Sequence, residues 1–153
     1  MNYWLMKSEP DSFGIDDLAK KPKQTDRWEG VRNFQVRNML RDQIKRGDLA
    51  FFYHSSCKVP GIAGVVEVTT DGYPDPTALN PESRYYDPHS AADVPRWFMV
   101  DVRLIKKFPH FITLSALRQY PQLSDMLLLK KGSRLSITPV TLQQWHFIVS
   151  LKQ

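Results

Sequence analysis

Apolar residues recur along the chain with two different periods, and each period predicts a different kind of element. Continuous or alternating apolar runs rich in β-branched and aromatic residues are typical of strands. Such runs cover 3–7, 49–55, 61–69, 96–108 and 133–140. Helical spacing of apolar residues predicts helices over 15–21, 33–44 and 141–151, and short helical turns within 113–121 and 123–129.

The predicted helix over 33–44 has a well-defined buried face. Its apolar stripe consists of Val36, Met39, Leu40 and Ile44. At the helical turn angle, Asn33 lies about 60° and Arg37 about 100° to one side of Val36. Asn33 is therefore expected at the edge of the buried stripe, and Arg37 at the rim of any pocket beside it.

The last predicted helix combines a start signal with a second apolar stripe. Thr141 and Gln144 fit a capping box, in which each side chain bonds the backbone N–H of the other. The buried stripe is expected to consist of Leu142, Trp145, Ile148 and Val149.

The segments between these elements predict turns and one long loop. Gly61 and Gly64 lie inside a strand pattern, which indicates a bulge or a close backbone approach. Residues 71–95 carry five prolines and predict a long surface loop, a kind of segment that is often functional. Short strands with helices inserted among them predict one α+β domain over residues 1–153, built on a small curved sheet or barrel.

The net charge of +5 is unevenly distributed. Residues 1–46 carry +3, residues 47–101 carry −5, and residues 102–153 carry +7 with Asp125 as their one acidic residue. A basic terminal third can attract a phosphate backbone, and it can equally serve to solvate a surface. Charge alone leaves both interpretations open.

Length and composition indicate the cellular setting. No apolar run approaches the roughly 20 residues that a membrane helix needs. The N-terminal residues lack the pattern of a signal peptide. A single cysteine, Cys57, cannot form an internal disulfide, which predicts a reducing, cytoplasmic location. The sequence predicts no membrane contact and leaves the oligomeric state open.

No pattern for catalysis or metal binding is recognisable. The histidines lie outside metal-ligand spacing, and both a nucleophile elbow and a P-loop are absent. Ser8, Glu9 and His54 can be drawn as a triad, but their positions in the sequence do not support it. We therefore predict no catalytic residue, no metal and no cofactor.

Polar clusters at the ends of predicted elements are better suited to binding. "KSEP" (7–10) follows the first strand and can present a cation, a hydroxyl and a carboxylate to a ligand. The alternative is that Ser8 and Pro10 only shape the turn. "YHS" (53–55) ends another strand, and it either meets the same ligand or forms a buried Tyr–His pair.

The stretch "WEGVRN" (28–33) combines an aromatic ring with polar groups just before a helix. Trp28 is expected to lie free in a loop, where it can stack on a flat ligand, while the Asn33 amide pairs with the ligand edge. The alternative is that Trp28 covers the core and Asn33 caps the helix.

These pieces stand in an order that resembles a known family. Together "YWLMKSEPDSFGIDDL", "WEGVRNFQVRN", "GDLAFFYHSS…PGIAGVVEV" and "RWFMVDV…LLLKKGSRLSITPVT…W" are similar to the EVE domain family over residues 3–149. The resemblance implies a PUA-like mixed β-pseudobarrel flanked by short α-helices, related to YTH and ASCH domains. It also implies a non-catalytic module that holds a modified, flipped-out base of DNA or RNA. Only an unstacked base exposes its whole edge and both faces to protein.

The family's motifs match this sequence at 7–10, at Trp28 and 30–33, and at 53–55, and the roles of single residues are our own hypothesis. Many members have Tyr at the position of Phe34 and Ala at that of Val36. In this hypothesis Trp28 stacks on the base, and the residues expected to bind the ligand are Lys7, Ser8, Glu9, Trp28, Arg32, Asn33, Arg37, Tyr53, His54 and Ser55. Residues expected to contact phosphates are Lys130, Lys131 and Arg134, with Lys7, Arg32 and Arg37.

Two other functions stay open at the level of sequence. An enzyme acting on a nucleotide or modified nucleoside would use Glu9 or His54 as general acid or base in the same pocket. An adaptor would use the pocket for a small ligand or a protein.

Overall fold

A mixed six-stranded sheet forms the centre of the molecule. The computed structural model describes residues 1–151. Its strands are β1 (Tyr3–Ser8), β2 (Thr25–Arg27), β3 (Leu49–His54), β4 (Gly61–Val68), β5 (Tyr73–Pro74), β6 (Phe98–Met99), β7 (Asp101–Thr113) and β8 (Ile137–Val140). Six of them form one sheet in the order β2-β7-β4-β3-β1-β8, while β5 and β6 pair separately. This architecture confirms the predicted α+β class.

Five short helices lie around the sheet in the described part of the chain. They are α1 (Pro10–Phe13), α2 (Ile15–Ala19), α3 (Phe34–Asp42), α4 (Leu114–Leu117) and α5 (Leu142–Ser150). The turn predicted within 123–129 is a 3-10 turn at Leu127–Leu129. No helix within residues 1–151 is long and apolar enough to cross a membrane.

Strand pairing brings two of the polar clusters to the same end of the sheet. β1 runs parallel to β3, and the register places Ser8 beside His54. All other pairings in the sheet are antiparallel. The register shifts where β4 pairs with β3 and β7, as expected for bulges that curl a sheet. At Gly64 a Cβ would collide with the backbone carbonyl oxygen of Lys106 on the neighbouring β7, which confirms the predicted close backbone approach.

Both faces of the sheet are covered by a hydrophobic core. On one face α3 packs over the even-numbered residues of β1 and β3, a cluster that includes Trp4, Met6, Phe52, Val36 and Leu40. On the other face α5 packs over the odd-numbered residues, a cluster that includes Leu5, Phe51, Phe108, Trp145 and Ile148. A strand with a core on each side reads as a continuous apolar run, as β1 and β3 do.

Three expectations about boundaries and faces were wrong. The strand predicted over 96–108 breaks at Val100 and continues to Thr113. The strand predicted over 133–140 begins only at Ile137, and it includes Pro139 because β8 is an edge strand and needs no further hydrogen bond there. The α5 capping box is present, but Leu142 and Val149 are about half exposed, so only Trp145 and Ile148 of the predicted stripe are buried.

Candidate functional site

A cavity opens at the surface of the molecule where β1 ends. Its volume of about 670 Å³ is within the usual range of ligand pockets. Four segments surround it: the end of β1 with α1, the chain from β2 to α3, the loop after β5, and the residues before β8. Its lining residues are Lys7, Ser8, Glu9, Ser12, Phe13, Lys21, Asp26, Arg27, Trp28, Glu29, Gly30, Val31, Arg32, Asn33, Arg84, Tyr85, Arg134 and Ser136.

The cavity collects about half of the residues predicted for the site. Those on its wall are Lys7, Ser8, Glu9, Trp28, Arg32, Asn33 and Arg134. Those outside its wall are Arg37, Tyr53, His54, Ser55, Lys130 and Lys131. The segments "KSEP" and "WEGVRN", which are separated by 17 residues, therefore meet in one pocket.

The end of β1 supplies a cation that lacks a partner. The Lys7 side chain is half-buried and forms no ion pair within residues 1–151. Burial lowers the pKa of the Lys7 ammonium below its usual value. Next to it, the Ser8 hydroxyl donates to the Phe13 carbonyl at 2.6 Å and keeps its lone pairs for a ligand. Glu9 immediately precedes α1, at its N-cap position, and is exposed.

Trp28 is both a core residue and a wall of the pocket. Its side chain is 7% exposed, so it is not the free loop ring that the sequence suggested. The ring stands edge-to-face against Phe52 at 5.4 Å and Phe13 at 6.4 Å. The backbone N–H of Trp28 donates to the Val100 carbonyl. These contacts hold the indole rigidly, which lowers the entropic cost of binding on its accessible edge.

Asn33 caps α3 with one half of its amide and leaves the other half open. Its Oδ1 accepts from the Val36 N–H at 3.0 Å, in the manner of a helix cap. Its Nδ2 makes no hydrogen bond within the described part of the chain, and the residue is exposed on the pocket wall. The structural interpretation and the binding interpretation of Asn33 are therefore compatible.

Arg32 is occupied in holding the loop after β5. Its guanidinium donates to the Tyr85 carbonyl at 2.7 and 3.0 Å, to Thr77 Oγ1 at 3.1 Å, and to Asp75 Oδ2 at 3.2 Å. Asp75 is buried and also accepts from the Gly30 N–H. Burial by itself raises the pKa of Asp75, but hydrogen bonds from Thr77 and Gly30 and the charge of Arg32 outweigh it and keep the pKa low. Through these contacts Arg32 positions the loop after β5.

Tyr85 forms a wall that the sequence did not single out. Its ring covers Gly30, where a Cβ would lie within 2.6 Å of Tyr85 Cε1. Gly30 adopts a φ of 84°, in the region that favours glycine. The long loop was expected to be functional, but the sequence offered no reason to choose Tyr85 over the neighbouring Tyr86. Phe13, Arg84 and Ser136 also line the pocket, and no pattern in the sequence singled them out.

The "YHS" cluster lies beside the pocket and serves the fold. His54 Nε2 accepts from the Ile15 N–H at 3.1 Å, so the ring joins the end of β3 to the start of α2. Burial lowers the pKa of His54, against the opposing charges of Asp16 and Asp17. Tyr53 is buried in the opposite core, and burial raises its pKa to about 12. The Ser55 N–H donates to the Ser8 carbonyl and extends the β1–β3 pairing.

The other predicted cations are exposed or lie on a neighbouring surface. Arg37 packs over the ring of Phe34, with its guanidinium carbon 4.9 Å from the ring centroid. Lys130 and Lys131 are exposed in the segment that leads to Arg134.

Within residues 1–151, no group of three or more His, Cys, Asp or Glu is placed to hold a metal ion. Cys57 is a free thiol.

The fold and the pocket together define a PUA-like α+β domain, with a curled half-barrel sheet and a cavity at one end. The chain belongs to the EVE domain family, whose model matches residues 2–151.

Similar proteins align with this chain over nearly its whole length. Human thymocyte nuclear protein 1 is 44% identical over an alignment of 169 positions, which covers 99% of this chain and 74% of that protein. A crystal structure of a Pseudomonas putida protein is 50% identical, covers 99% of both chains and has a TM-score of 0.93. The human THYN1 protein in complex with DNA containing 5-methylcytosine is 43% identical, with a TM-score of 0.93 and coverage of 100% and 98%.

Proposed function

We propose that this protein binds DNA and holds a modified, extruded base in the pocket without changing it. The observation that carries the proposal is the placement of two unpaired donors, Lys7 and Asn33 Nδ2, on a pocket walled by the rings of Trp28 and Tyr85. Aromatic walls offer contact to the faces of a base, and donors between them meet its edge.

The polar groups suit the edge of a cytosine. The Glu9 carboxylate can accept a hydrogen bond from its exocyclic amine, while its carbonyl oxygen O2 and ring nitrogen N3 can accept from Lys7 and Asn33. The likeness to the human THYN1 protein bound to DNA with 5-methylcytosine supports the same choice of ligand. We therefore propose a 5-substituted cytosine in DNA as the preferred ligand.

The geometry favours binding over catalysis. Of the two groups named as candidates for general acid–base chemistry, only Glu9 lies on the pocket wall. His54 lies outside it, and its Nε2 is used by the Ile15 N–H. A general base has to reach the proton it removes, and the His54 ring does not line the cavity in which a base would be held.

The proposal is tested with two 12-base-pair duplexes that differ only in one methyl group on cytosine. Burying that methyl is worth about 0.8 kcal/mol, so we expect fluorescence anisotropy to give an affinity about fourfold higher for the methylated duplex. Equal affinities for the two duplexes would refute the proposal. Conversion of the methylated base during incubation, followed by mass spectrometry, would instead support an enzyme.

Asn33→Ser separates the cap of α3 from the contact with the base. Serine caps helices about as well as asparagine and adds no charge, so the free energy of unfolding should stay close to that of the natural protein. The affinity should fall by a similar factor for both duplexes, because the base edge that Asn33 meets is common to cytosine and 5-methylcytosine. Asn80→Ser is a matched control outside the pocket, because the Asn80 Oδ1 also accepts from a backbone N–H.

We also propose a cytoplasmic location, on the basis of the lone cysteine. Relatives carry the name thymocyte nuclear protein 1, which makes the nucleus the alternative in a cell that has one. Fractionation of cells that express the natural protein distinguishes the two.

A further inference from the structure

A continuous stack of arginines and aromatic rings runs from the pocket wall to the outer surface of α3. In order along the stack, its members are Arg84, Tyr85, Arg32, Trp97, Phe34 and Arg37. Arg84 and Tyr85 line the pocket at one end, while Phe34 and Arg37 lie outside it at the other. We call this set the arginine–aromatic stack.

The contacts within the stack are close at every step. The guanidinium carbon of Arg32 lies 5.6 Å from the ring centroid of Tyr85 and 5.2 Å from that of Trp97. Trp97 and Phe34 are stacked, with centroids 4.7 Å apart and ring planes 21° from parallel. Trp97 is also held by a hydrogen bond from its indole N–H to Asp87. The stack therefore places Phe34 at a fixed position relative to the pocket.

Phe34 is the most exposed aromatic ring of the described residues. Its exposure of 52% exceeds that of Tyr86 and Phe111, although Trp97 and Arg37 both pack against it. An exposed aromatic ring that is already held in position loses little conformational entropy on binding. It is therefore a favourable contact surface for a flat or apolar ligand group. The core does not need this ring, since α3 already buries Val36, Met39 and Leu40.

The charge of Arg37 is not neutralised by the protein. Its Nη1 donates to the Arg96 carbonyl at 2.5 Å and its Nε to Asn38 Oδ1 at 2.8 Å, and both acceptors are neutral. No carboxylate forms an ion pair with Arg37 within residues 1–151. Its remaining donors are free to meet an anion beside the Phe34 ring.

We propose that Phe34 and Arg37 bind the nucleotide on one side of the base held in the pocket. A sugar or base of the DNA strand packs on the exposed part of the Phe34 ring, and Arg37 donates to the adjoining phosphate. This assignment rests on the proposed function, and it adds a second contact surface with one polarity along the strand. Aromatic rings interleaved with arginines are the usual chemistry for holding unpaired nucleotides.

The test uses two single-stranded 8-mers with 5-methylcytosine at the 5′ end of one and at the 3′ end of the other. A single strand needs no extrusion, and only one of the two places nucleotides over the Phe34 side of the pocket. Phe34→Leu, which keeps apolar volume and removes the ring, should weaken one 8-mer about tenfold and leave the other unchanged. Phe34→Tyr keeps the ring and should retain the affinity for both.

Arg37→Gln provides a second variant at the surface. It should weaken the same 8-mer as Phe34→Leu and reduce the salt slope of its binding by about 0.7, the value for one phosphate of a single strand. Arg46→Gln is the control, because Arg46 is exposed just before β3, at the opposite end of the β1–β3 pair from Lys7. Urea unfolding of each variant checks that the fold is kept.

Each outcome decides the proposal. Equal weakening of both 8-mers by Phe34→Leu would mean that the stack acts through Tyr85 and the pocket, and no weakening would mean that Phe34 is not used; either result overturns the proposal. Failure of the natural protein to prefer methylated over unmethylated 8-mers is a different result, and it would refute the proposed function instead.

Discussion

At the scale of single residues, Gly30 shapes the pocket by the side chain it does not have. The Tyr85 ring occupies the space where a Cβ would lie, and the φ of 84° is unfavourable for other residues. The Gly30 N–H also donates to Asp75, so the conformation of this residue is tied to the Arg32 contacts that hold the loop. Gly30 therefore contributes both to the position of the Tyr85 ring and to the contacts of Arg32 that hold the loop.

Gly30→Ala should damage stability and binding together. A left-handed conformation costs roughly 1–2 kcal/mol for a residue with a Cβ. The methyl group also has to displace Tyr85, so we expect the preference for the methylated duplex to be lost. Affinity by fluorescence anisotropy and the free energy of unfolding by urea denaturation measure the two effects.

Gly47→Ala is the matched control for this substitution. Gly47 has a φ of 92°, but a Cβ there would meet open space. It should show a similar loss of stability from the conformation alone and bind both duplexes normally. Loss of binding in both variants, or in neither, would contradict the role given to Tyr85.

The site residues that could be predicted are those that stand together in the sequence. Lys7 and Ser8 follow a strand, and Trp28 and Asn33 precede a helix, so each pair was visible as a polar or aromatic cluster. Tyr85 reaches the pocket only because Arg32 binds its carbonyl across 53 positions of sequence. No local pattern encodes such a contact, and one sequence cannot reveal it.

At the scale of elements, the hydrogen bond from the Ile15 N–H to the His54 ring joins the end of β3 to the start of α2. We call this contact the latch. The His54 Nε2 has to be unprotonated to accept from the Ile15 N–H. The ring packs edge-to-face against Phe52 and Phe111, which further disfavours a charge on it. The carboxylates of Asp16 and Asp17 oppose this effect, and Lys107 adds to it, with a net lowering of the pKa.

The latch predicts that the protein is less stable in mild acid. The unfolded chain takes up a proton at His54 near pH 6.5, whereas the folded chain does so only at lower pH. The contribution of His54 is therefore complete above about pH 6.5 and is lost as the pH falls toward the folded pKa. The slope for one proton is at most about 1.4 kcal/mol per pH unit.

His54→Gln should remove this part of the pH dependence. The glutamine amide oxygen can accept from the Ile15 N–H, and it does not titrate over this range. Urea unfolding at pH 7 and pH 5 should show a smaller loss of free energy in the variant than in the natural protein. His110→Gln, at an exposed position of β7, controls for the loss of a histidine. An unchanged loss in His54→Gln would rule out the latch.

Elements were predicted where one face or both faces of a segment are buried along their length. β1, β3 and β4 are nearly continuous apolar runs because a core lies on each side of the sheet. β2 was not predicted, since its three residues are polar and partly exposed and it pairs only at the edge. The error in α5 arose because Leu142 is apolar but stands at the first turn, beyond the reach of the core.

At the scale of the whole molecule, the acidic middle of the chain is largely used to hold its own loops. Five of its eight carboxylates bind side chains: Asp48 binds Trp4, Glu67 binds Arg103, Asp75 binds Arg32, Asp87 binds Arg96, and Asp101 binds Tyr73. The cations of the last third have fewer partners. Within residues 1–151, Lys131 and Arg134 form no ion pair, and Lys130 lies 3.9 Å from an exposed Asp125. Arg134 lies on the pocket wall, and Lys130 and Lys131 are exposed in the segment that leads to it.

This distribution predicts that Lys130 and Lys131 supply affinity without selectivity. If each contacts one phosphate of a duplex, the double variant Lys130→Gln/Lys131→Gln should make the plot of log K against log salt less steep by about 1.8. Both duplexes, methylated and unmethylated, should weaken by the same factor, because the phosphate contacts are common to them. Lys45→Gln/Arg46→Gln removes the same charge from the opposite end of the β1–β3 pair and should leave the slope nearly unchanged. Equal slopes in the two double variants would show that net charge alone attracts the DNA, and a changed preference for the methyl group would place the two lysines at the base.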